Sequence, residues 1–409
     1  MLDLESNVDA VLAAVDEAYA LDLACRLVRT PSVYRPTDPE ANETAVAALI
    51  AAELRQLGLD VHVEDAAPGR PNVIGDWIGR GPGPLLIVEG HSDVVTEGDA
   101  AAWSVPPFGA IVADGRLYGR GAADMKGGVA AAIAAVRAIR DARVELPGRI
   151  RVAVVADEEG MMVGIKSFIR NGWAKDACGA IICEPEANEV CLVQKGALRA
   201  IARFRGKMAH GAMPKSGINP IPASAGFVQS LLALERRYVM RHGAHTLLGE
   251  PSVTPTVLEA GDLAQLNVIQ AEAVVGVDVR TIPGQDHAVI RDDLRHAVAD
   301  AASGVPGCHG ELDVIEERPW TETPPEAAVV AAVERGVRRV RGRPPRRRGV
   351  PGATDGTFLY AWGGVPIVTI GPGDVTIPHQ VDEFVRVADL VEAARIFAAA
   401  ACYCLGSST

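Results

Sequence analysis

Between residues 40 and 195 the chain alternates two textures: short uninterrupted apolar runs, and longer stretches whose apolar residues recur every three or four positions. The first texture marks strands buried on both faces, and the second marks amphipathic helices. ETAVAALIAAELRQLGLD predicts an alanine- and leucine-rich helix closed by Gly58, with VHVED as the strand after it. PLLIVEGHSD, RIRVAVVADEE and AIICEPE predict three more strands, interleaved with the helices GGVAAAIAAVRAIRD and GIKSFIRNG. Such alternation predicts an α/β domain whose mostly parallel sheet is covered by helices, with ligands bound beyond the carboxyl ends of its strands. Each predicted strand ends on polar side chains: His91 and Asp93, then Glu158 and Glu159, then Glu184.

Near Gly196 the period changes. ALRAIARFRGKMAH alternates as a strand with one wet face does, PASAGFVQSLLALERRYVM is a long helix, and EAVVGVDVRTIPGQD with HAVIRDDLRHAVADAA is another strand and helix. Two helices on an antiparallel sheet predict an inserted α+β domain over residues 196–314. Residues 315–409 return to the first texture, so a sheet begun in residues 1–195 is interrupted and then completed. The arginine run from Arg338 to Arg348 is expected to be a solvated helix end and loop, because Pro344 and Pro345 break any regular element.

Charge narrows the function classes. With 40 basic against 52 acidic residues the net charge is −12, which argues against a nucleic-acid or anionic-membrane binder. Apolar residues make up 48% of the 409, yet no stretch reaches the roughly 18 uninterrupted apolar residues of a membrane helix. The acidic N-terminal segment lacks the basic start and small-residue cleavage site of a signal peptide, so a cytoplasmic location is expected. The seven cysteines are scattered and read as buried small hydrophobes, including the C-x-C of Cys402 and Cys404, which has no partner histidine.

The candidate chemistry sits at the strand ends. In EGHSDVV, Asp93 follows His91 closely enough to accept a hydrogen bond from the imidazole, as a metal-binding histidine needs, although ordinary surface turns share the spacing. GRGAADMKGG sets Asp124 among four glycines, whose freedom lets a loop present one carboxylate into a cleft; helix capping is an equal reading of the same residues. DEEGMM places Asp157, Glu158 and Glu159 directly after an apolar strand, where like charges resist burial unless a cation or a function compensates. Glu184 adds a carboxylate before Pro185, and His379 follows VPIVTIGPG. Two histidines, three or four carboxylates and one spare glutamate form a donor set for two divalent ions bridged by a carboxylate. Nitrogen and oxygen donors without thiolates point to Zn²⁺, with Co²⁺ or Mn²⁺ as alternatives, and the ions would compensate the acidic run.

Taken in order, GHSDVV, GRGAADMKGG, ADEEGMMVGIKSF, CEPE, KGALRAIARFRGKMAHGAMP, DVRTIPG and PHQVDEFV resemble one family across nearly the whole chain. That family is the co-catalytic di-zinc metallopeptidases and amidohydrolases, which include acetylornithine deacetylase, succinyl-diaminopimelate desuccinylase, aminoacylase and the glutamate carboxypeptidases. The resemblance implies that His91 and Glu184 hold one metal, that His379 and Glu159 hold the other, and that Asp124 bridges them. It implies that Asp93 orients His91 and that Glu158 is the general base acting on the attacking water. It makes the insert a lid or dimerisation domain, with His210 contacting the oxyanion, often across a homodimer, and Arg280, Asn267, Gly352 and Thr354 lining the substrate pocket. Met161 and Met162 stand where relatives more often carry small or polar residues, beside the expected base.

The expected activity is metal-dependent hydrolysis of an amide C–N bond in a small N-acyl amino acid or related acid. A carboxypeptidase or dipeptidase, or a hydrolase of a non-peptidic C–N bond, would use the same site. A non-catalytic metal or ligand-binding relative is the reading from another class, and it leaves the spare glutamate without a purpose.

Overall fold

The computed structural model describes residues 4–406 apart from residue 39. The chain divides into two compact units. The first comprises Met1–Leu192, Thr323–Arg348 and Thr354–Thr409, and the second comprises Val193–Glu322 with Gly349–Ala353.

The first unit is mixed α/β. Four strands run parallel at the centre of its sheet, in the order Arg149–Val155, Leu85–His91, Ala177–Ile182 and Ile367–Thr369. Arg70–Ile78 and Asp60–Ala67 extend one side antiparallel, and Val190–Gln194 joins antiparallel on the other. Leu85–His91 is buried along its whole length, which explains why it reads as an unbroken apolar run rather than an alternating one. Ile87 packs in a cluster with Ile165, Phe168 and Phe358 on one face. Leu86 and Val88 alternate to the other face, and the helices Gly127–Asp141 and Val387–Gly406 pack against this strand. Gly128 is needed for that packing, because a Cβ there would stand 2.0 Å from the carbonyl oxygen of Cys183.

The second unit carries a four-stranded antiparallel sheet in the order Ser252–Ala260, Glu272–Thr281, Gly196–Arg205 and His309–Arg318. The helices Ile221–His242 and His287–Ser303 cover one face, with Phe204, Phe227, Leu231 and Leu294 at the centre of their shared core. Asp286 caps the second helix by accepting from the Ala288 amide at 2.8 Å.

The arginine run departs from expectation. Arg341 is nearly buried at the end of the helix Ala328–Arg341, paired with Glu392 at 2.6 Å and Glu189 at 3.0 Å, so part of the run is a structural clamp. Among the described residues no helix is long and apolar enough to cross a membrane.

Candidate active site

Parallel strands carry their carboxyl ends to one edge of the sheet, and the polar side chains that follow them meet there. His91 ends its own strand and is fully enclosed. Its Nδ1 donates to the carbonyl oxygen of Asp93 at 3.0 Å, which is closer than the Asp93 carboxylate at 3.5 Å. The backbone, more than the expected carboxylate, therefore holds the Nδ1 proton and turns Nε2 towards the carboxylates. That Nε2 faces Asp124 Oδ1 at 3.2 Å and Glu184 Oε1 at 3.9 Å. His379 Nε2 lies 3.3 Å from Asp124 Oδ2 and 3.0 Å from Glu159 Oε1. Asp124 thus turns one carboxylate oxygen to each histidine.

Three overlapping groups have ligand atoms within 4.8 Å of one another: His91, Asp124 and Glu184; Asp124, Glu159 and His379; and His91, Glu158 and Glu159. The donors are imidazole nitrogen and carboxylate oxygen, the set that suits a borderline or hard divalent cation. Their electrostatics fit one as well. Burial, and then the neighbouring Asp124 charge, raise Glu184 well above the usual carboxylate range. Burial and Asp124 also raise Glu159. Burial pulls His91 down, but its hydrogen bonds to Asp124 and Asp93 outweigh this and hold it well above its ordinary value. Hydrogen bonds to Asp124 and Glu159 lift His379 to about 10. The carboxylates around both imidazoles favour positive charge there, and a divalent cation meets the same demand.

The shell behind these residues was only partly visible in the sequence. Asp93 accepts from the Glu158 amide through Oδ1 and from the Glu159 amide through Oδ2, each at 3.1 Å, so one carboxylate sets the backbone of the glutamate pair. Glu383, two residues from the end of the PHQVDEFV motif, is fully buried. It accepts from the amides of Ala123 at 2.9 Å and Asp124 at 3.1 Å and pairs with Arg120. Lys126 is also enclosed and donates to the carbonyl of Thr30 at 2.8 Å; burial pushes it down to about 7.

Glu89, two residues before His91 on the same strand, and Asp355 are both buried, and none of their four carboxylate oxygens has a hydrogen-bond donor among the described residues. Two carboxylates can bond only if one is protonated, and burial raises Glu89 to about 8 and Asp355 well above its usual value. The acid in the otherwise apolar run LLIVEG was the available signal for this pair.

One expectation is corrected. The first member of the acidic run needs no metal, because Asp157 pairs with Arg70 at 2.8 Å and accepts from the amides of Met161 and Val163 at 3.1 Å. Met162 is a fully buried part of the core cluster, whereas Met161 is 44% exposed. Cys402 and Cys404 are buried on the helix Val387–Gly406, with Cys404 Sγ 3.5 Å from Cys178 Sγ.

The second unit holds four of the remaining candidates. His210 and Val268 pair across a short antiparallel ribbon that brings His210 beside Asn267. The Ala212 amide donates to His210 Nδ1 at 3.0 Å, which leaves Nε2 to carry the proton in the neutral ring. Arg280 forks onto Asp278 at 2.7 and 3.2 Å. Gly352 has open space where a side chain would project. In the first unit Thr354 is buried and accepts from the Gly356 amide at 3.2 Å.

A profile described as Peptidase family M20/M25/M40 matches residues 87–402, which is most of the chain and includes all six histidine and carboxylate residues of the three groups. The chain belongs to peptidase family M20. Among curated relatives, this M20 chain is 33% identical to succinyl-diaminopimelate desuccinylase of Halorhodospira halophila, over 90% of its own length and 94% of the relative's. It is 29% identical to the N-formyl-4-amino-5-aminomethyl-2-methylpyrimidine deformylase of Bacillus subtilis, over 91% and 92% of the two chains. A solved Bacillus subtilis structure, described as a dinuclear metal binding peptidase from the M20 family, superposes with a TM-score of 0.72 at 18% identity, covering 96% of this chain and 99% of that one. The M20 chain is a hydrolase of amide-type carbon–nitrogen bonds.

Proposed function

We propose that this protein is a two-metal deacylase that hydrolyses the amide bond of a small N-acylated amino acid or related acid. The observation that carries the reading is Asp124, whose two carboxylate oxygens face His91 at 3.2 Å and His379 at 3.3 Å. His91, Glu184 and Asp124 would hold one divalent ion, and His379, Glu159 and Asp124 the other, with Zn²⁺ as the resident metal and Co²⁺ or Mn²⁺ as alternatives. When bound, the ions supply Lewis acidity at the amide carbonyl and acidify the attacking water.

The protein's own groups do the rest. Glu158, outside both ion-binding triads, takes the proton of the attacking water on its carboxylate and returns it to the leaving nitrogen. Asp93 holds the Glu158 and Glu159 backbone while Glu158 exchanges that proton. The family resemblance assigns His210, donating from Nε2, to the oxyanion, and Arg280, Asn267, Gly352 and Thr354 to the substrate's carboxylate or carbonyl. A homodimer formed through the second unit goes with this reading. Its support is the edge strand Ser252–Ala260 and the loop after it, where Leu258, Leu263 and Leu266 are 62%, 93% and 85% exposed. The relatives named for desuccinylation and deformylation share this reaction class.

The test is turnover of acetyl, formyl and succinyl amino acids and dipeptides by chelator-stripped protein, with and without added Zn²⁺, Co²⁺ or Mn²⁺. Metal-dependent amine release from one class is the expected result. A stripped protein that binds none of these ions would overturn the reading. Glu383→Ala should weaken metal affinity by about 10–100-fold, because the amides that set Asp124 lose their acceptor. Metal titration of purified protein checks this, and saturating metal should restore most of the turnover.

A further inference from the structure

Beside the candidate centre, within the first unit, lies a cavity of about 340 Å³, in the size range of small-ligand pockets. Asp93, Glu159 and Gly160 form its wall on the catalytic side, and Val33, Tyr34, Arg35, Val94, Val95 and Thr96 form the rest together with Arg70 and Asp157. None of the residues from Val33 to Arg35 was singled out by the sequence motifs.

Resting on the deacylase reading, we propose that this cavity is the specificity pocket for one arm of the substrate, and that it takes an uncharged, apolar arm. Every charged group in its lining is already engaged. Arg70 is held by Glu43 and by Asp157 at 2.8 Å. Arg35 meets both oxygens of Glu97 at 2.8 and 2.7 Å. Asp93 accepts from two backbone amides, and Glu159 faces His379. A carboxylate or ammonium entering the cavity would shed water without finding a free counter-charge, which is unfavourable. The apolar surface left for contact is mainly Tyr34, 45% exposed with the Arg70 guanidinium 3.8 Å from its ring centroid, and the half-buried Val95, with Val33 and Val94 buried behind them at 5% and 3% exposure.

The wall is also built rather than incidental. Lys126 holds the Thr30 carbonyl at 2.8 Å, Ser32 Oγ donates to the Ser92 carbonyl at 2.7 Å, and the Val94 amide donates to the Ser32 carbonyl at 3.2 Å. The segment that carries Tyr34 is thereby stitched to the loop that follows His91, so the pocket is formed before substrate arrives. A substrate with charge on both arms, such as a succinylated diamino acid, fits this arrangement worse than one with an apolar arm.

The experiment uses the metal-loaded enzyme and two substrate series: one amino acid acylated with acetyl, butanoyl, hexanoyl or succinyl groups, and N-acetyl derivatives of amino acids with small, apolar or charged side chains. In one series kcat/KM should rise at least tenfold with apolar length, in line with about 1–3 kcal/mol per methylene in an apolar pocket. Tyr34→Ala should reduce that preference at least fivefold. Val95→Phe, which fills the cavity, should reverse it. Competition by hexanamide against succinamate gives a second readout, with hexanamide binding expected in the wild type and lost in Val95→Phe. Preference for the charged arm in both series, or ratios unmoved by both variants, would overturn the inference. If no substrate in either series is cleaved, the deacylase reading falls, and hexanamide binding and its loss in Val95→Phe still decide whether the cavity is an apolar pocket.

Discussion

Glu158→Gln is expected to lower kcat by about 10²–10⁴ while KM and the number of bound metal ions stay as in the wild type, the range associated with losing a general acid–base group. Glutamine keeps the size of the side chain and removes its ability to hold a proton. The amide of residue 158 still donates to Asp93 Oδ1 at 3.1 Å, so the backbone of the glutamate pair has no reason to move. Metal content must be measured alongside the rate, because Glu158 also lies within 4.8 Å of ligand atoms on His91 and Glu159. Loss of an ion in the variant would make Glu158 a ligand. Full turnover would remove it from the mechanism.

A second large effect is expected on stability, from Arg70→Met. The Arg70 guanidinium is almost wholly buried between Glu43, which is 0% exposed, and Asp157, which is 5% exposed. Removing the cation leaves two enclosed carboxylates without a counter-charge, a change that typically destabilises by about 3–5 kcal/mol. Burial already raises Glu43 above its usual value against the opposing pull of Arg70, so losing the guanidinium favours its protonated form. Denaturant unfolding followed near pH 7 reads the loss, and Arg70→Lys should fall between the two, since an ammonium cannot fork onto both acids. A change below about 1 kcal/mol would mean that the triad contributes little. Because Asp157 also accepts from the amides of Met161 and Val163, the variant tests how far the turn after Glu159 depends on its support.

The sequence carried the side chains that gather at the candidate centre better than it carried those that hold them in place. His91, Glu159, Glu184 and His379 were legible because each follows a short apolar run, and parallel strands deliver such residues to one edge. The second unit's sheet was legible for a related reason: Gly196–Arg205 alternates buried and wetter positions along most of its length, as its sequence does. The supports were not legible, because they are pairs between distant residues. Arg70 reaches Asp157 across 87 positions, and Glu383 reaches the Asp124 amide across 259. No local spacing encodes such a pair. Glu89 was an acid inside an apolar strand, a visible anomaly, but its partner Asp355 lies in a different motif and only the fold joins them.

The boundary of the second unit has a consequence for how such chains change over time. Its main segment begins after Leu192 and ends before Thr323, and those two flanking residues are joined by a hydrogen bond from the Thr323 amide to the Leu192 carbonyl at 2.9 Å. Entry and exit therefore share one doorway in the backbone. A module attached in this way can be lengthened, shortened or exchanged without respacing the strands that carry His91, Glu184 and His379. Lineages can then remodel the module while the strands of the first unit keep their dimensions.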